Sequence, residues 1–151
     1  MGRAREGEAA PSFELEGTGG KIYRLEDYRG TGVVLAFYPG DFTPVCTKQF
    51  CSYRDAGDRV EELGMPMLGV APQSVDSHER FVNEMSLNVP LLADVDKEAA
   101  RAYDVLAPGG FVRRATFVVD PELIIRHRDV KLLGATYETI DDIERAIAGA
   151  G

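Results

Sequence analysis

The sequence predicts an α/β fold with a central mixed sheet, helices on both faces and an N-terminal β-hairpin. Short apolar runs rich in β-branched residues, which are typical of buried strands, alternate with longer stretches of helical pattern. Two pairs of strand-like segments are separated only by turn signals, which is typical of hairpins. Because crossover strands lie parallel and hairpins add antiparallel strands, the sheet is expected to be mixed.

Six segments are predicted to be strands. The first two flank the glycine-rich turn 17–20 and form a hairpin. The next two are continuous apolar runs, as expected for strands covered on both faces. The last two are separated by the turn 120–122 and form a second hairpin. In chain order the strands cover residues 11–15, 21–25, 33–38, 66–71, 115–119 and 123–127.

Four segments are predicted to be helices. The longest follows a Pro-Gly turn and has Pro44 in its first turn, where a missing amide hydrogen costs nothing. Thr43 is a candidate N-cap, since its side-chain oxygen can accept an unpaired amide, and Gly64 ends the helix. The helices cover residues 44–63, 74–85, 97–103 and 137–148, with the short segment 91–94 leading into the third.

This order of elements fits one domain over residues 1–151. The chain has no internal repeat and no linker-like stretch, and 151 residues is an ordinary length for one domain. The architecture that fits strand, helix, strand, helix, hairpin and helix is the thioredoxin-like fold.

Composition and charge exclude several classes of partner. The formal net charge of −8 argues against binding to nucleic acid or to an anionic membrane, which would require a basic face. No apolar run approaches the roughly 20 residues of a membrane-spanning helix. Residues 1–8 are polar and carry both signs of charge, unlike a signal peptide, so a cytoplasmic location is expected.

The two cysteines, Cys46 and Cys51, lie close together in the sequence. A bridge between them would close a very short loop and stabilise little, so the pair suggests redox chemistry or metal binding rather than architecture. Metal binding is the weaker interpretation, because no histidine lies at ligand spacing. His78 and His127 are far apart in the sequence, and both are predicted to be surface residues. No cofactor is predicted.

Cys46 falls in the first turn of the longest predicted helix, at the carboxyl edge of the sheet. Ligand sites in open α/β sheets lie at this edge. The free amides of a first helical turn stabilise an anion, and the thiolate is the nucleophilic form of cysteine. A buried, inert cysteine is the alternative, but the position after a rigid Pro-Gly turn favours a reactive thiolate.

The residues around Cys46 also carry a family resemblance. Pro39, Thr43 and Cys46 match the Pro-x-x-x-Thr/Ser-x-x-Cys signature, so the chain resembles the peroxiredoxins, and most closely the bacterioferritin-comigratory-protein or PrxQ-like subfamily. The similarity runs from about residue 8 to about residue 147. Further matching segments are 47–51, 69–78, 90–94, 102–105 and 114–120.

The resemblance implies a thiol peroxidase in which Cys46 is the peroxidatic cysteine. Thr43 then holds the peroxide through its hydroxyl, Pro39 shields the thiolate from water, and Arg114 is the catalytic arginine. A fixed guanidinium would stabilise the charge that develops on the leaving oxygen. Because side chains alternate along a strand, only one of the adjacent residues Arg113 and Arg114 can face the site.

The sequence departs from the subfamily pattern at two positions. Val45 replaces a usual glycine and removes no functional group. Gln49 replaces a common glutamate that is thought to orient the arginine. The amide can accept a hydrogen bond from a guanidinium but lacks the charge. The sequence therefore leaves open how well Arg114 is oriented, and with it the rate of the reaction.

Cys51 matches the resolving cysteine of the subfamily's Cys-x4-Cys arrangement. In this role it condenses with a sulfenic acid on Cys46 to form a disulfide. Residues five apart on a helix have Cα atoms about 8–9 Å apart, whereas a disulfide needs at most about 7 Å. The helix must therefore unwind locally before the bridge forms. The alternative is that Cys51 only packs under the helix and an external thiol resolves the sulfenic acid.

By resemblance, the expected partners are a hydroperoxide substrate and thioredoxin or a similar dithiol reductant, with the protein a monomer or weak homodimer. One rival function is thiol–disulfide exchange on the same fold, which normally uses Cys-x-x-Cys and would not explain Thr43 and Arg114. A non-enzymatic redox sensor or holdase that changes shape on oxidation is the other rival, and the sequence does not exclude it.

Overall fold

A seven-stranded mixed sheet forms the centre of the structure, a computed structural model that describes residues 4–132 and 136–150. The strands are β1 (Glu14–Gly17), β2 (Lys21–Arg24), β3 (Val33–Phe37), β4 (Met67–Ala71), β5 (Leu91–Ala93), β6 (Ala115–Val119) and β7 (Ile125–Val130). The helices are α1 (Pro44–Asp55), α2 (Gly57–Glu61), α3 (Val75–Met85), α4 (Glu98–Ala102) and α5 (Ile140–Ala150). No helix in the described part of the chain is long and apolar enough to cross a membrane.

The sheet has the strand order β2-β1-β5-β4-β3-β6-β7. Strand β3 pairs in parallel with β4, and β4 with β5, whereas β6 and β7 extend the sheet in antiparallel fashion. The N-terminal hairpin β1–β2 joins the opposite edge through β5. The predicted α/β, thioredoxin-like class is therefore confirmed, with a mixed sheet and an N-terminal hairpin.

The core has two layers because side chains alternate between the two faces of each strand. All five residues of β3 are buried, with Leu35 and Phe37 on one face and Val34 and Ala36 on the other. The first face packs against α4 and the N-terminal hairpin, whereas the second packs against α1, α3 and α5. The members of this second layer include Cys46, Phe50, Tyr53, Phe81 and Ile143.

The predicted helix 44–63 is wrong as a single element, because the chain leaves the helical conformation at Ala56. Its backbone angles are φ −98° and ψ 29°, and the glycine that follows has a low helix propensity. Helix α1 therefore ends at Asp55 and a short separate helix follows.

Other boundaries shift for local reasons. The segment 91–94, which was not predicted as a strand, contributes the three-residue strand β5. The last strand begins at Ile125 because the Asp120 carboxylate accepts the amides of Glu122 and Ile124, which lengthens the turn. Helix α5 begins at residue 140, where Thr139 and Asp142 cap its first turn reciprocally.

Candidate active site

Cys46 is the third residue of α1 and its side chain is fully buried. Strand β3 ends at Phe37, and residues 38–43, here called the 38–43 loop, turn the chain into the helix. The first helical hydrogen bond runs from the Thr47 amide to the Thr43 carbonyl at 2.8 Å. The cysteine thus lies among the free amides of a first helical turn, as the sequence predicts.

Arg114 lies immediately before β6 and reaches Cys46. Its Nη1 donates to the Cys46 Sγ at 2.7 Å, and the arginine is 5% exposed. Because β6 pairs with β3 so that Ala115 lies opposite Phe37, the residue before β6 is brought to the end of β3, where the cysteine loop begins. The neighbouring Arg113 instead donates to the Leu132 carbonyl at 3.4 Å. The structure thus distinguishes the two arginines as strand alternation requires.

Gln49 connects the arginine to the interior. Its Oε1 accepts from Arg114 Nη1 at 3.3 Å, and its Nε2 donates to the Tyr53 hydroxyl at 3.0 Å. That hydroxyl in turn donates to the carbonyl of Glu138 at 2.6 Å. Since the tyrosine has only one proton to give, its second partner has to be a donor. An amide meets this requirement, whereas an ionised glutamate at position 49 would not.

Thr43 occupies the N-cap position of α1, but the expected cap is wrong. Its hydroxyl donates to the Gly40 carbonyl at 3.2 Å and accepts no amide of the helix. The backbone angles, φ −72° and ψ 148°, are those of an N-cap residue. The hydrogen bond orders the loop internally, because it joins two residues that flank Phe42, whose φ is +63°.

A buried polar cluster beside the loop was not predicted from the sequence. The Asp41 carboxylate accepts from the hydroxyls of Tyr38 and Ser77, both at 2.7 Å, and from His78 Nδ1 at 2.7 Å. Burial opposes ionisation of Asp41, but the hydrogen bonds from His78, Tyr38 and Ser77 together lower its pKa below the usual value. Burial, and then the Asp41 charge, raise the pKa of Tyr38 well above its usual value.

The prediction that both histidines lie on the surface is wrong. His78 is fully buried, and His127 is half-buried with its Nε2 2.6 Å from Glu138 Oε1. The spacing of Val75, His78 and Phe81 along α3 is a signal from which the burial of His78 could have been predicted, since residues three apart share a helix face. That face packs onto the sheet and buries the imidazole with it.

Cys51 lies on α1, five residues after Cys46, and is half-buried. Both thiols are free. The two cysteines are therefore held in the reduced arrangement, with the helix between them intact. Pro39, the remaining site residue predicted from the sequence, lies in the loop, where its carbonyl accepts from Gln73 Nε2 at 3.2 Å.

Residues 7–128 match the AhpC/TSA family. A peroxiredoxin Bcp from Bacillus subtilis is 35% identical over 147 residues, which are 91% of this chain and 94% of that protein. The chain belongs to the peroxiredoxin family. The chloroplastic peroxiredoxin Q of Oryza sativa subsp. japonica is 32% identical over 128 residues, 83% of this chain and 59% of that one. A peroxiredoxin Q structure from Xanthomonas campestris superposes with a TM-score of 0.83 at 29% identity, covering 92% of each chain.

The resemblance to the Bcp and peroxiredoxin Q proteins is thereby confirmed. Family membership makes this protein a thiol peroxidase, an oxidoreductase that takes a peroxide substrate and a thiol reductant. These relatives are named as peroxiredoxins. Their names do not refer to thiol–disulfide exchange or to redox sensing, the two alternative functions.

Proposed function

We propose that the protein reduces hydrogen peroxide and organic hydroperoxides through the thiolate of Cys46. The contact of Arg114 Nη1 with the Cys46 Sγ, at 2.7 Å, is the observation that carries this proposal. A guanidinium is permanently protonated, so it favours the negatively charged form of the sulfur. Organic hydroperoxides are included because the related Xanthomonas campestris protein is described by its alkyl peroxide reduction activity.

In the first step the thiolate attacks the terminal oxygen of the hydroperoxide. An S–O bond forms, the O–O bond breaks, and the leaving alkoxide or hydroxide takes up a proton, which gives a sulfenic acid and an alcohol or water. Arg114 stabilises the negative charge that passes from sulfur to the leaving oxygen. The Thr43 hydroxyl binds the peroxide, and Pro39 limits the access of water to the thiolate.

In the second step the Cys51 thiol attacks the Cys46 sulfenic acid, which releases water and forms an intramolecular disulfide. The Cα atoms of residues five apart on a helix are about 8–9 Å apart. Helix α1 must therefore unwind between the two cysteines. The helix break at Ala56 supports this step, because the unwinding can stop there and leave α2 in place.

Removal of Phe50 from the core is one cost of this unwinding. Phe50 is fully buried and packs against Tyr38 and Tyr53, with ring centroids 4.6 and 5.5 Å away. Exposing a phenylalanine side chain costs about 1.5–3 kcal/mol, a cost that the S–S bond can offset. Reduction by thioredoxin or a similar dithiol protein then returns two electrons and two protons, and the helix refolds.

Steady-state peroxide reduction coupled to thioredoxin tests the proposal, with Cys46→Ser and Cys51→Ser compared to wild type. We expect Cys46→Ser to abolish turnover. Cys51→Ser should keep its first, stoichiometric reaction with peroxide and lose thioredoxin-dependent turnover. Mass spectrometry of the peroxide-treated wild type should find both thiols lost in one internal disulfide.

Two outcomes would contradict the scheme at different steps. Activity that survives Cys46→Ser would remove Cys46 from the chemistry. A stable sulfenic or sulfinic acid on Cys46, with Cys51 still free in the wild type, would leave the first step intact and replace the second with an external thiol.

A further inference from the structure

The 38–43 loop is attached to α3 and to the segment before it by several side-chain hydrogen bonds. The Gln73 side chain accepts the Asp41 amide at 3.2 Å and donates to the Pro39 carbonyl at 3.2 Å, as a neighbouring strand would. Phe42 packs edge-on against Phe81 of α3, with the ring centroids 5.0 Å apart. The loop therefore takes its position from α3 as well as from α1.

The side chain of Asp41 is the centre of this attachment. Only 1% of it is exposed, and His78, its partner in α3, is fully buried. One carboxylate oxygen accepts from Tyr38, and the other accepts from both Ser77 and His78. Three donors from two elements thus converge on one carboxylate.

His78 also connects this attachment to the sheet. Its Nε2 lies 2.9 Å from the Leu92 carbonyl and 3.3 Å from the Ala71 carbonyl, and carbonyls only accept. Its Nδ1 faces the Asp41 carboxylate, which also accepts. The imidazole therefore links Asp41 to the backbone of β4 and β5, and a hydrogen bond that an ionised carboxylate accepts is about twice as strong as one between neutral groups.

We infer that Asp41 is a positioning residue for peroxide reduction: held by Ser77 and His78, it keeps Thr43 in the place where its hydroxyl meets the peroxide beside Cys46. The Thr43 hydroxyl is linked to this anchor through the Gly40 carbonyl, which belongs to the residue next to Asp41. This inference rests on the proposed role of Cys46.

Two reagents separate positioning of the peroxide from activation of the sulfur. Peroxide needs both the thiolate and a correctly placed Thr43, whereas iodoacetamide needs the thiolate and access to it. In a Cys51→Ser background, where Cys46 is the single thiol, rapid-quench mass spectrometry measures both rates. If Cys46 does not react with peroxide in the Cys51→Ser parent, that result contradicts the proposed function. It does not contradict the role of Asp41.

For Asp41→Ala we expect the peroxide rate constant to fall by about 10- to 100-fold and the alkylation rate to change by less than about threefold. For Asp41→Asn the peroxide rate constant should stay within about fivefold of the parent, since the amide keeps the size of the side chain and an oxygen that accepts from Tyr38. For Ser77→Ala, which removes one of the three donors, the peroxide rate constant should fall by about two- to fivefold.

Asp94→Ala is the matched control. This carboxylate is also buried, at 2% exposed, but it accepts the amides of Ala99 and Ala100 at the start of α4. Its loss should lower the melting temperature and leave both rates of the folded protein unchanged.

A selective loss in Asp41→Ala with recovery in Asp41→Asn supports the inference. The inference would be overturned if the peroxide and alkylation rates fall together, or if the peroxide rate of the folded variants is unchanged. The cluster would then be merely structural. If Asp41→Ala does not fold, Asp41→Asn and Ser77→Ala decide the question through the ratio of the peroxide rate to the alkylation rate.

Discussion

Residues on the two sides of Cys46 are held by different kinds of contact. Before the cysteine, the 38–43 loop is anchored by a buried carboxylate with three donors from Tyr38, Ser77 and His78. After it, α1 is attached by separate hydrogen bonds along its length: Gln49 accepts from Arg114, Arg54 donates to the Met85 carbonyl, and the Tyr53 hydroxyl donates to the Glu138 carbonyl. Hydrogen bonds to charged groups contribute about 1.5–3 kcal/mol each, against about 1 kcal/mol for neutral ones.

This difference suits a peroxidase whose two steps make opposite demands. The proposed binding of peroxide by Thr43 needs a fixed loop, whereas the proposed disulfide needs a helix that unwinds. Three hydrogen bonds converge on one buried carboxylate on the side that must stay, whereas the contacts of α1 lie singly along the side that must move. Variants that act on one step and spare the other test this division.

Arg114→Ala should have the largest effect, because Arg114 contacts the sulfur of Cys46, the proposed nucleophile. We expect the rate of Cys46 oxidation by peroxide to fall by about 10²- to 10³-fold, the cost of losing one fixed donor to a developing charge. Rapid-quench mass spectrometry provides the measurement. Arg113→Ala is the control, since this arginine donates to the Leu132 carbonyl and should change the rate little. Equal losses in the two variants would contradict the assignment.

Thr43→Val tests the loop side alone. It removes the hydroxyl and preserves the shape of the side chain, so Cys46 oxidation should slow by about 10- to 100-fold. Thr43→Ser should keep most of the activity. The subsequent step, disulfide formation from the sulfenic acid, should proceed at the wild-type rate. A slower second step in Thr43→Val would mean that the loop and the helix are not independent.

Tyr53→Phe tests the helix side alone. It removes a hydroxyl that joins Gln49 of α1 to the Glu138 carbonyl, so the folded helix loses about 1 kcal/mol. Disulfide formation after oxidation should therefore become about fivefold faster. Tyr103→Phe is the matched control, because this buried tyrosine donates to the Pro11 carbonyl at 2.6 Å, in the other core layer. A slower second step in Tyr53→Phe would contradict the unwinding model.

His127→Gln should have the smallest effect, and one that depends on pH. The hydrogen bond to Glu138 raises the pKa of His127 above its usual value of about 6.5. The pair therefore stabilises the fold fully below about pH 6.5, and this contribution is lost as the pH rises through the higher folded-state pKa. Thermal unfolding should show a larger deficit for His127→Gln at pH 6 than at pH 8.5. A larger deficit at pH 8.5 would contradict the pairing.

Much of the site follows from short-range patterns. Cys46 is recognisable because a buried strand, a Pro-Gly turn and a proline-started helix follow one another within 14 residues of sequence, from Val33 to Cys46. Strand alternation leaves one of two adjacent arginines facing the site, and the family resemblance selects Arg114. These features lie within short stretches of sequence, so they can be recognised without knowing which helices and strands pack together.

The sequence by itself thus determined the α/β class, the position of Cys46 at the start of a helix and the spacing of Cys51. Only the tertiary structure decided that His78 is buried against Asp41, that Gln49 joins Arg114 to Tyr53, and that the long helix breaks at Ala56. Asp41 and His78 are 37 residues apart, and their meeting depends on how α3 packs on the sheet. Local patterns encode the period of an element, whereas the partner of a buried charge is set by the topology that brings two elements together.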